Sequence, residues 1–203
     1  KIPEEPETSV KHHYAVEHYT ENLDGTYSKV EKDTVVSEDV EIGTKVSYKI
    51  NNYDGFTFDE SKTENKDATV PDNNNLVVKL YYTRNSYSYT IKYVEEGNET
   101  NILKTTTGEA KYEEEIDVTK ETFEGYTYVR QDKEKIKIDT TNNIATVYYT
   151  RNSYNVTYEY EGEFPTGASE LPAKATYKYG ESVTVAEDAT APGYTFSGWD
   201  HED

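Results

Sequence analysis

The sequence contains no cysteine, and this absence excludes a disulfide framework and thiolate chemistry. It also lacks any run of about 20 apolar residues, the length that a membrane-spanning helix needs. Basic residues are outnumbered: 21 lysines and arginines stand against 40 acidic residues, so the formal net charge is −19. Such an excess of negative charge repels nucleic acid and anionic lipid, so we predict neither nucleic-acid binding nor membrane insertion.

Sequence motifs of catalysis are missing as well. The chain has no nucleophile–base motif, no glycine-rich phosphate loop and no zinc signature. Pairs of carboxylates are frequent only because the whole chain is acidic, and they therefore indicate no particular site. We predict that the chain is not an enzyme and that it uses no cofactor.

Hydrophobic residues make up only 33 % of the chain, yet it contains 21 tyrosines, whereas a disordered chain would be poor in aromatic residues. Aromatic and apolar residues alternate with polar ones, as in Tyr89, Ile91 and Tyr93, and again from Tyr154 to Tyr160. This period of two predicts half-buried strands. A short helix fits the sequence only around residues 169–171.

The string YYTRNSY occurs at residues 81–87 and again at 148–154. An identity of this length at a fixed spacing indicates tandem copies of one small domain. A second signature, a glycine followed by aromatic-Thr-aromatic, occurs three times in the same order, at Gly55, Gly125 and Gly193. An apolar segment precedes each glycine at a nearly constant distance, so the chain is predicted to contain three repeats.

These signatures set the predicted domain boundaries. Residues 1–9 are rich in proline and glutamate and are predicted to be a linker. Three β repeat modules follow at residues 10–83, 84–153 and 154–203, and we refer to them as the first, second and third repeats. The third is shorter or truncated, because the closing strand that ends in YYT in the other two is missing.

Only four residues, Thr-Arg-Asn-Ser, separate the last strand of one repeat from the first strand of the next, so the angle between neighbours is predicted to be restricted. A domain of this size has a diameter of roughly 28 Å, and three in a row would span about 80–90 Å. The predicted architecture is therefore mostly β, with three small modules arranged end to end as an elongated rod.

Several segments resemble a known family. YTIKYV at 89–94, YNVTYEY at 154–160, EGYTYV at 124–129 and VYYTRNSY at 147–154 are similar to the mucin-binding-protein repeats of Gram-positive surface proteins. YKYGESV at 177–183 and APGYTFSGW at 191–199 are more similar to internalin-type B repeats and related modules of streptococcal surface stalks. The resemblance covers residues 12–203.

The resemblance implies a β-grasp-like (ubiquitin-like) module of four or five strands and no catalytic residues. It also implies extracellular display, with the parent protein anchored to the cell wall, as an adhesin segment or a stalk. Host mucin, glycan or matrix protein are then the candidate partners, and we expect a monomer. A purely structural spacer and an accessory region of a surface-anchored enzyme remain the alternatives.

Most tyrosines recur at matched positions and are predicted to form the cores of the repeats. Tyr27 and Tyr53 have no evident counterpart in the other repeats, and they are the candidate ligand-binding residues. Trp199 is predicted to cap the core of the third repeat.

Metal binding is not predicted from the histidines or from the acidic loops. His12 and His18 would share one face of a strand but stand about 20 Å apart. The loops at 72–75, 139–143 and 113–115 are rich in oxygen ligands but do not match a calcium-loop spacing. We therefore interpret these loops as turns.

Overall fold

The computed structural model describes residues 9–200, and its regular structure is almost entirely β-strand. Within this range there is no α-helix, and the one helical segment is a 3-10 turn, Glu31–Asp33. The predicted mostly-β class is therefore confirmed. The predicted linker, apart from Ser9, and His201 lie outside the described residues.

The chain divides into two compact units, and the second repeat contributes residues to both. One unit comprises the chain up to Ile91 together with Thr106–Val118 and Lys133–Ala145. The other comprises Lys92–Thr105, Thr119–Asp132 and the chain from Thr146 onward.

The first repeat is built around one mixed sheet with the strand order β3-β2-β7-β6, and β4 also pairs with β2. The short strands β1 and β5 form a separate antiparallel ladder. The seven strands are β1 (Lys11–His12), β2 (Ala15–Glu21), β3 (Tyr27–Lys29), β4 (Val35–Val36), β5 (Val40–Glu41), β6 (Phe56–Glu64) and β7 (Val77–Arg84).

The second repeat has a sheet of the matching order, β9-β8-β13-β11, and a separate antiparallel ladder of β10 with β12. Its strands are β8 (Ser86–Glu95), β9 (Asn98–Lys111), β10 (Glu115–Asp117), β11 (Tyr126–Gln131), β12 (Lys135–Lys137) and β13 (Ile144–Arg151). Turns follow β2 and β8, and Gly25 and Gly97 take positive φ there, +83° and +80°.

In both repeats the first long strand, β2 or β8, and the closing strand, β7 or β13, lie side by side and run in the same direction. β2 and β7 pair in parallel from Ala15 opposite Val77 to Thr20 opposite Tyr82. In the second repeat the amide of Thr90 donates to the carbonyl of Asn143 (2.8 Å) and that of Glu96 to Tyr149 (2.7 Å), which is the same direction. These strands have a neighbouring strand on each side, and only one face of the sheet packs against the core. Apolar and polar residues therefore alternate along them.

The closing strands form the centre of each core, as their alternation predicts. Val78, Leu80 and Tyr82 in the first repeat are at most 1 % exposed, and so are their counterparts Ala145, Val147 and Tyr149 in the second. Burial of each larger side chain contributes about 1.5–3 kcal/mol.

The third repeat contains two strands in its described part, β14 (Ser153–Val156) and β15 (Ala175–Lys178), which pair antiparallel. The strand predicted up to Tyr160 therefore ends at Val156. In the other two repeats the first long strand pairs with a closing strand along its length. No closing strand is described beside residues 157–160.

In the third repeat Trp199 lies in a cluster of partly buried aromatic rings. The ring of Trp199 lies 4.7 Å from Tyr158 and 5.1 Å from Phe196, measured between centroids. The short helix suggested around residues 169–171 is absent, and that prediction is wrong. The amide of Ala168 instead closes a turn onto the carbonyl of Pro165 (3.0 Å), and the carbonyl of Ser169 accepts the hydroxyl of Tyr160 (2.9 Å).

Candidate functional site

The two copies of YYTRNSY lie where one repeat meets the next. Each junction combines a glycine turn from the preceding repeat, the Arg-Asn pair of the string, and a tyrosine from the following repeat. We call the group around Gly55, Asn85 and Tyr112 the first junction. The group around Gly125, Asn152 and Tyr179 is the second junction.

The glycine of each aromatic signature occupies the same tight turn. The residue after the glycine donates its amide to the carbonyl two residues before it, at 3.0 Å in the first junction and 3.2 Å in the second. The φ angles of Gly55 and Gly125 are +80° and +75°, a region that glycine enters without the strain other residues bear.

A tyrosine ring covers each of these glycines. A Cβ atom added to Gly55 would overlap the ring of Tyr112, and one added to Gly125 would overlap the ring of Tyr179. The same rings meet the residue after the glycine edge to face, at centroid distances of 5.8 Å for Phe56 and 6.0 Å for Tyr126. Glycine is therefore required for its backbone angle and for its missing side chain.

Asn85 ties the first junction together through its backbone. Its amide donates to the carbonyl of Gly55 (2.9 Å), and its carbonyl accepts the amide of Tyr112 (2.8 Å). Its side-chain Oδ1 accepts the hydroxyl of Thr57 (2.8 Å), the threonine of the aromatic signature. One residue thus contacts both repeats.

The second junction repeats this arrangement bond for bond. Asn152 donates to the carbonyl of Gly125 (2.8 Å) and accepts the amide of Tyr179 (2.9 Å). Its Oδ1 accepts the hydroxyl of Thr127 at 2.6 Å. Because the same contacts form twice, the asparagine of the string is held by the same structural contacts on both of its sides.

The arginine of the first junction is surrounded by polar groups. The backbone amide of Arg84 donates to Oε2 of Glu21 (2.8 Å), and its Nε donates to the Glu21 carbonyl (3.0 Å). One terminal nitrogen donates to the carbonyl of Tyr112 (2.7 Å) and to Oε2 of Glu113 (3.0 Å). Lys111 donates to the other oxygen of Glu21 at 3.0 Å. The side chains of Arg84 and Glu21 are only 9 % and 11 % exposed.

The pKa values of the two carboxylates follow from these contacts. Burial alone would raise the pKa of Glu21, but the hydrogen bonds from Lys111 and from the amide of Arg84 outweigh it and hold the pKa below its usual value. The hydrogen bond from Arg84 lowers the pKa of Glu113, against a smaller opposing effect of burial. Both groups are therefore charged at neutral pH.

The arginine of the second junction has fewer partners. Nε of Arg151 donates to Oε1 of Glu95 (2.7 Å). Glu95 is the last residue of β8, as Glu21 is the last residue of β2. Oε2 of Glu95 accepts Nδ2 of Asn101 at 2.8 Å, and this bond is the largest cause of the lowered pKa of Glu95. Gly180 occupies the position that Glu113 has in the first junction, and both take positive φ, +79° and +65°.

The cores behind the junctions differ at one position. In the first repeat His18, Tyr53 and Tyr82 form an aromatic group, with ring centroids 4.7–6.2 Å apart. The second repeat has Tyr93, Phe123 and Tyr149 in the same places, 5.0–6.4 Å apart. His18 therefore stands where the second repeat has a tyrosine, and Tyr53 corresponds to Phe123, a match not evident from the sequence.

His18 is 3 % exposed, and its Nδ1 lies 2.9 Å from the hydroxyl of Tyr82. That hydroxyl also accepts the amide of Asn51 (3.0 Å). Burial lowers the pKa of His18, against a smaller raising effect of Asp33. The neutral imidazole is thus the form that the core holds.

A groove of about 500 Å³ opens beside His18 in the first repeat. Its lining includes aromatic rings and both signs of charge, among them Tyr14, Tyr48, Lys32, Asp33 and Lys49. Of the two candidate ligand residues, Tyr53 reaches this region: its hydroxyl donates to Oδ2 of Asp33 (2.7 Å), and its pKa is raised to about 12, mainly by burial.

Tyr27, the other candidate, lies on β3 at the opposite side of the sheet from the core. Its ring meets Tyr81 edge to face at 5.1 Å, and Nζ of Lys62 lies 6.0 Å from its centroid. The role of Tyr27 and Tyr53 in ligand binding stays a prediction.

The histidines near the start of the chain are placed apart, each with its own acidic partner. His12 contacts Asp72 and Asn74 through its two ring nitrogens, both at 3.1 Å, and His13 contacts Asp39 at 3.2 Å. Among residues 9–200 no group of three or more histidine, aspartate or glutamate side chains is arranged to hold a metal ion.

The acidic loops form turns. Asn73 accepts the amide of Asn75 through its side chain (2.9 Å), and Asn143 accepts that of Asp139 (2.8 Å). No helix in the described range is long and apolar enough to cross a membrane.

No protein-family model matches the sequence, and no curated protein matches it. Solved structures that match include the Streptococcal High Identity Repeats in Tandem (SHIRT) domains 3–4 from a cell surface protein. The identity is 15 % and the TM-score 0.30, over 68 % of this chain and 98 % of that chain. Both values are low, and we infer neither fold nor function from the match.

Proposed function

We propose that this chain is a spacer segment of a bacterial cell-surface adhesin, in which docked repeats hold a distal part of the protein away from the cell wall. The observation that carries the proposal is the duplication of the junction. Glycine, asparagine and tyrosine make the same contacts at Gly55–Asn85–Tyr112 and at Gly125–Asn152–Tyr179.

Such a junction restricts the angle between neighbours. The asparagine is bonded to both repeats through its backbone, and a partly buried ring closes the gap over the glycine. A linker that merely connected two domains would need none of these contacts, since flexible linkers have no fixed partners. The identical string therefore serves to give each pair of neighbouring repeats the same relative arrangement.

We further propose that each repeat is a β-grasp-like module and that the three are arranged end to end as a rod. Support comes from the parallel pairing of the first long strand with the closing strand and from the matching strand orders β3-β2-β7-β6 and β9-β8-β13-β11. The acidic composition supports an exposed location, because a net charge far from zero keeps an extended protein from self-association.

Direct ligand binding is the second candidate function. The groove beside His18 supports it, since aromatic rings and a few charged groups converge there, as they do in many binding sites. Host mucin, glycan or matrix protein would be the partners, and Tyr53 the first residue to test.

Small-angle scattering on the intact chain tests the spacer function. We expect a largest dimension of about 80–90 Å, on the estimate of three domains in a row. A variant with Tyr112→Ala and Tyr179→Ala should give a broader distribution of dimensions, because both rings leave their glycines. A compact particle, or a profile that this double substitution leaves unchanged, contradicts the proposal.

The two functions are separated by a binding assay on the same protein. Mucins, glycans and matrix proteins are tested at physiological salt against the intact chain and against Tyr53→Phe, which removes only the hydroxyl bonded to Asp33. Saturable binding that Tyr53→Phe weakens supports the ligand function. No binding to any of them leaves the spacer as the function of these repeats.

A further inference from the structure

The third repeat contains a third copy of the glycine turn. The amide of Tyr194 donates to the carbonyl of Ala191 at 3.2 Å, and Gly193 has a φ of +79°. These values match those at Gly55 and Gly125, although β6 and β11 have no described counterpart after Gly193. The turn therefore keeps its shape without a following strand.

This copy differs from the other two in being open. Among residues 9–200, no heavy atom outside the immediate chain neighbours lies within 4 Å of the position that a Cβ would take on Gly193. Tyr194 is 70 % exposed, whereas Tyr126, its counterpart in the second junction, is partly buried against Tyr179.

We propose that the Gly193 turn, together with the ring of Tyr194, is a docking surface for the tyrosine turn of a further repeat of this kind. The proposal deepens the spacer function and rests on it. Two occupied copies of the same surface in the same chain define the occupant, since in each a tyrosine covers the glycine and an asparagine bonds the glycine carbonyl.

The chemistry of the occupant can be stated from the two tyrosine turns in the chain. In Lys111–Glu114 the glutamate side chain accepts the amide of the lysine (2.9 Å), and its own amide returns to the lysine carbonyl (2.9 Å). In Lys178–Glu181 the same two bonds measure 2.7 and 2.9 Å. The occupant is thus a Lys-Tyr-x-Glu turn in which x takes positive φ.

The first repeat does not meet this description. Its corresponding turn contains Ile42 and Gly43 in place of the tyrosine and the residue after it, and Gly43 has a φ of +83°. Thr44 stands in place of the glutamate, so the side-chain bond to the turn is missing from its sequence. A second copy of this chain could therefore not dock through its first repeat, and the surface favours a repeat with the tyrosine.

The test is a longer chain in which a copy of residues 133–200 follows residue 200. Lys133 follows Gly125 by the same number of residues as the first added residue follows Gly193. The copied closing strand, Arg-Asn pair and Tyr179 therefore keep their normal distances in sequence from the glycine turn. Hydroxyl-radical footprinting then reports the exposure of individual tyrosines in the original and in the longer chain.

We expect the reactivity of Tyr194 to fall several-fold in the longer chain, toward that of Tyr126, because a ring now covers it. Changing the copied Tyr179 to alanine should restore the reactivity, and so should Gly193→Ala. In the original chain Gly193→Ala should leave the reactivity of Tyr194 unchanged, since the surface there is open.

A Tyr194 that stays as reactive in the longer chain as in the original overturns the proposal, whether or not the added repeat folds. Gly125→Ala in the original chain separates this failure from that of the spacer function. If Gly125→Ala exposes Tyr126 while Tyr194 is never protected, the junctions exist but Gly193 is not one. If Gly125→Ala does not raise the reactivity of Tyr126 either, the ring of Tyr179 does not cover the second junction and the spacer function fails as well.

Discussion

At the first junction Arg84 contacts Glu21, Tyr112 and Glu113, and Lys111 contacts the same Glu21. Within the described residues the side chain of Arg151 at the second junction has one hydrogen-bonded partner, Glu95. The glycine turn, the covering tyrosine and the asparagine bonds are the same at both. The packing of the tyrosine ring on the glycine and the backbone hydrogen bonds are therefore the same at the two junctions, whereas the contacts between charged groups differ.

This difference indicates which part of the junction the fold requires. A glycine covered by a ring does not tolerate a larger residue, because the packing is close and one added carbon must displace its neighbours. A charged group near the surface contributes less and depends on its surroundings, so an exposed member such as Glu113 can be exchanged. Glu113 in one junction and Gly180 in the other share a backbone angle but not a charge.

The largest effect is expected from adding one carbon at a junction glycine. Gly55→Ala and Gly125→Ala should each lower the free energy of unfolding by about 3 kcal/mol, since the Cβ overlaps a tyrosine ring and the φ angle is positive. Denaturant unfolding measures the loss.

Gly97→Ala is the matched control for these two substitutions. Gly97 has the same φ of +80° as Gly55, but nothing in the described structure lies within 4 Å of a Cβ placed there. Its substitution should cost about 1 kcal/mol, the strain of the backbone angle alone. Equal losses at Gly97 and Gly55 would show that the covering ring adds nothing.

A smaller and unequal effect is expected from the arginines. Arg84→Ala should cost about 2 kcal/mol, because it leaves Glu21 and the Tyr112 carbonyl short of a donor in a buried place. Arg151→Ala should cost less, because its side chain is 28 % exposed and has one described partner. Chemical denaturation at low and high salt compares the two.

Arg130→Ala provides the surface control for the arginines, since that side chain is half exposed and pairs with Glu96. It should change stability little. The charged part of the first junction would be irrelevant if Arg84→Ala proved as mild as Arg130→Ala.

The third expected effect distinguishes the cores of the two repeats by pH. The pKa of His18 is lower in the folded chain than its ordinary value of 6.5, so the unfolded chain binds more protons near that pH. The first repeat should therefore lose stability as pH falls below about 6.5, while the second repeat, with Tyr93 in that place, should not. Carboxylates such as Glu21, with lowered pKa values, add their losses only below about 4.5.

Hydrogen-exchange protection of β2 and β8 between pH 7.5 and 5 measures this difference within one molecule. His18→Phe keeps a ring in the core and removes the titrating group, so it should abolish the extra loss in β2. If β2 and β8 lose protection equally, or if His18→Phe keeps the difference, His18 is not its source.

The smallest effect is expected at the threonines of the aromatic signature. Thr57→Ala and Thr127→Ala each remove one exposed hydrogen bond to the asparagine side chain, and each should cost about 0.5 kcal/mol. Unfolding midpoints of the two variants should agree, because the two bonds are equivalent. A clear inequality would show that the shared geometry does not imply shared energetics.

The sequence alone was enough to predict the strands that form the cores. Val78, Leu80 and Tyr82, with their counterparts in the second repeat, alternate with polar residues and are buried as that period requires. The repeated glycine was also visible, because its signature occurs three times.

The contacts of the junction were not predictable in the same way. Asn85 bonds residues 30 positions before it and 27 after it, and no local pattern shows which carbonyl an asparagine will meet. Glu21 looks like any other residue of an acidic chain until the fold places it beside Arg84. The strand predicted up to Tyr160 ended early for a similar reason, since alternation indicates a face but not the neighbouring strand that would pair with it.

The most direct test of the account is a pair of distance measurements between spin labels, since the chain has no cysteine that would interfere. Labels at positions 50 and 115 span the first junction, and labels at the corresponding positions 120 and 182 span the second. All four positions are exposed. We predict narrow distance distributions with the same mean for both pairs, broadened across the first junction by Tyr112→Ala and across the second by Tyr179→Ala. Broad distributions in the unsubstituted chain, or clearly different means, would contradict the claim that one junction has been built twice.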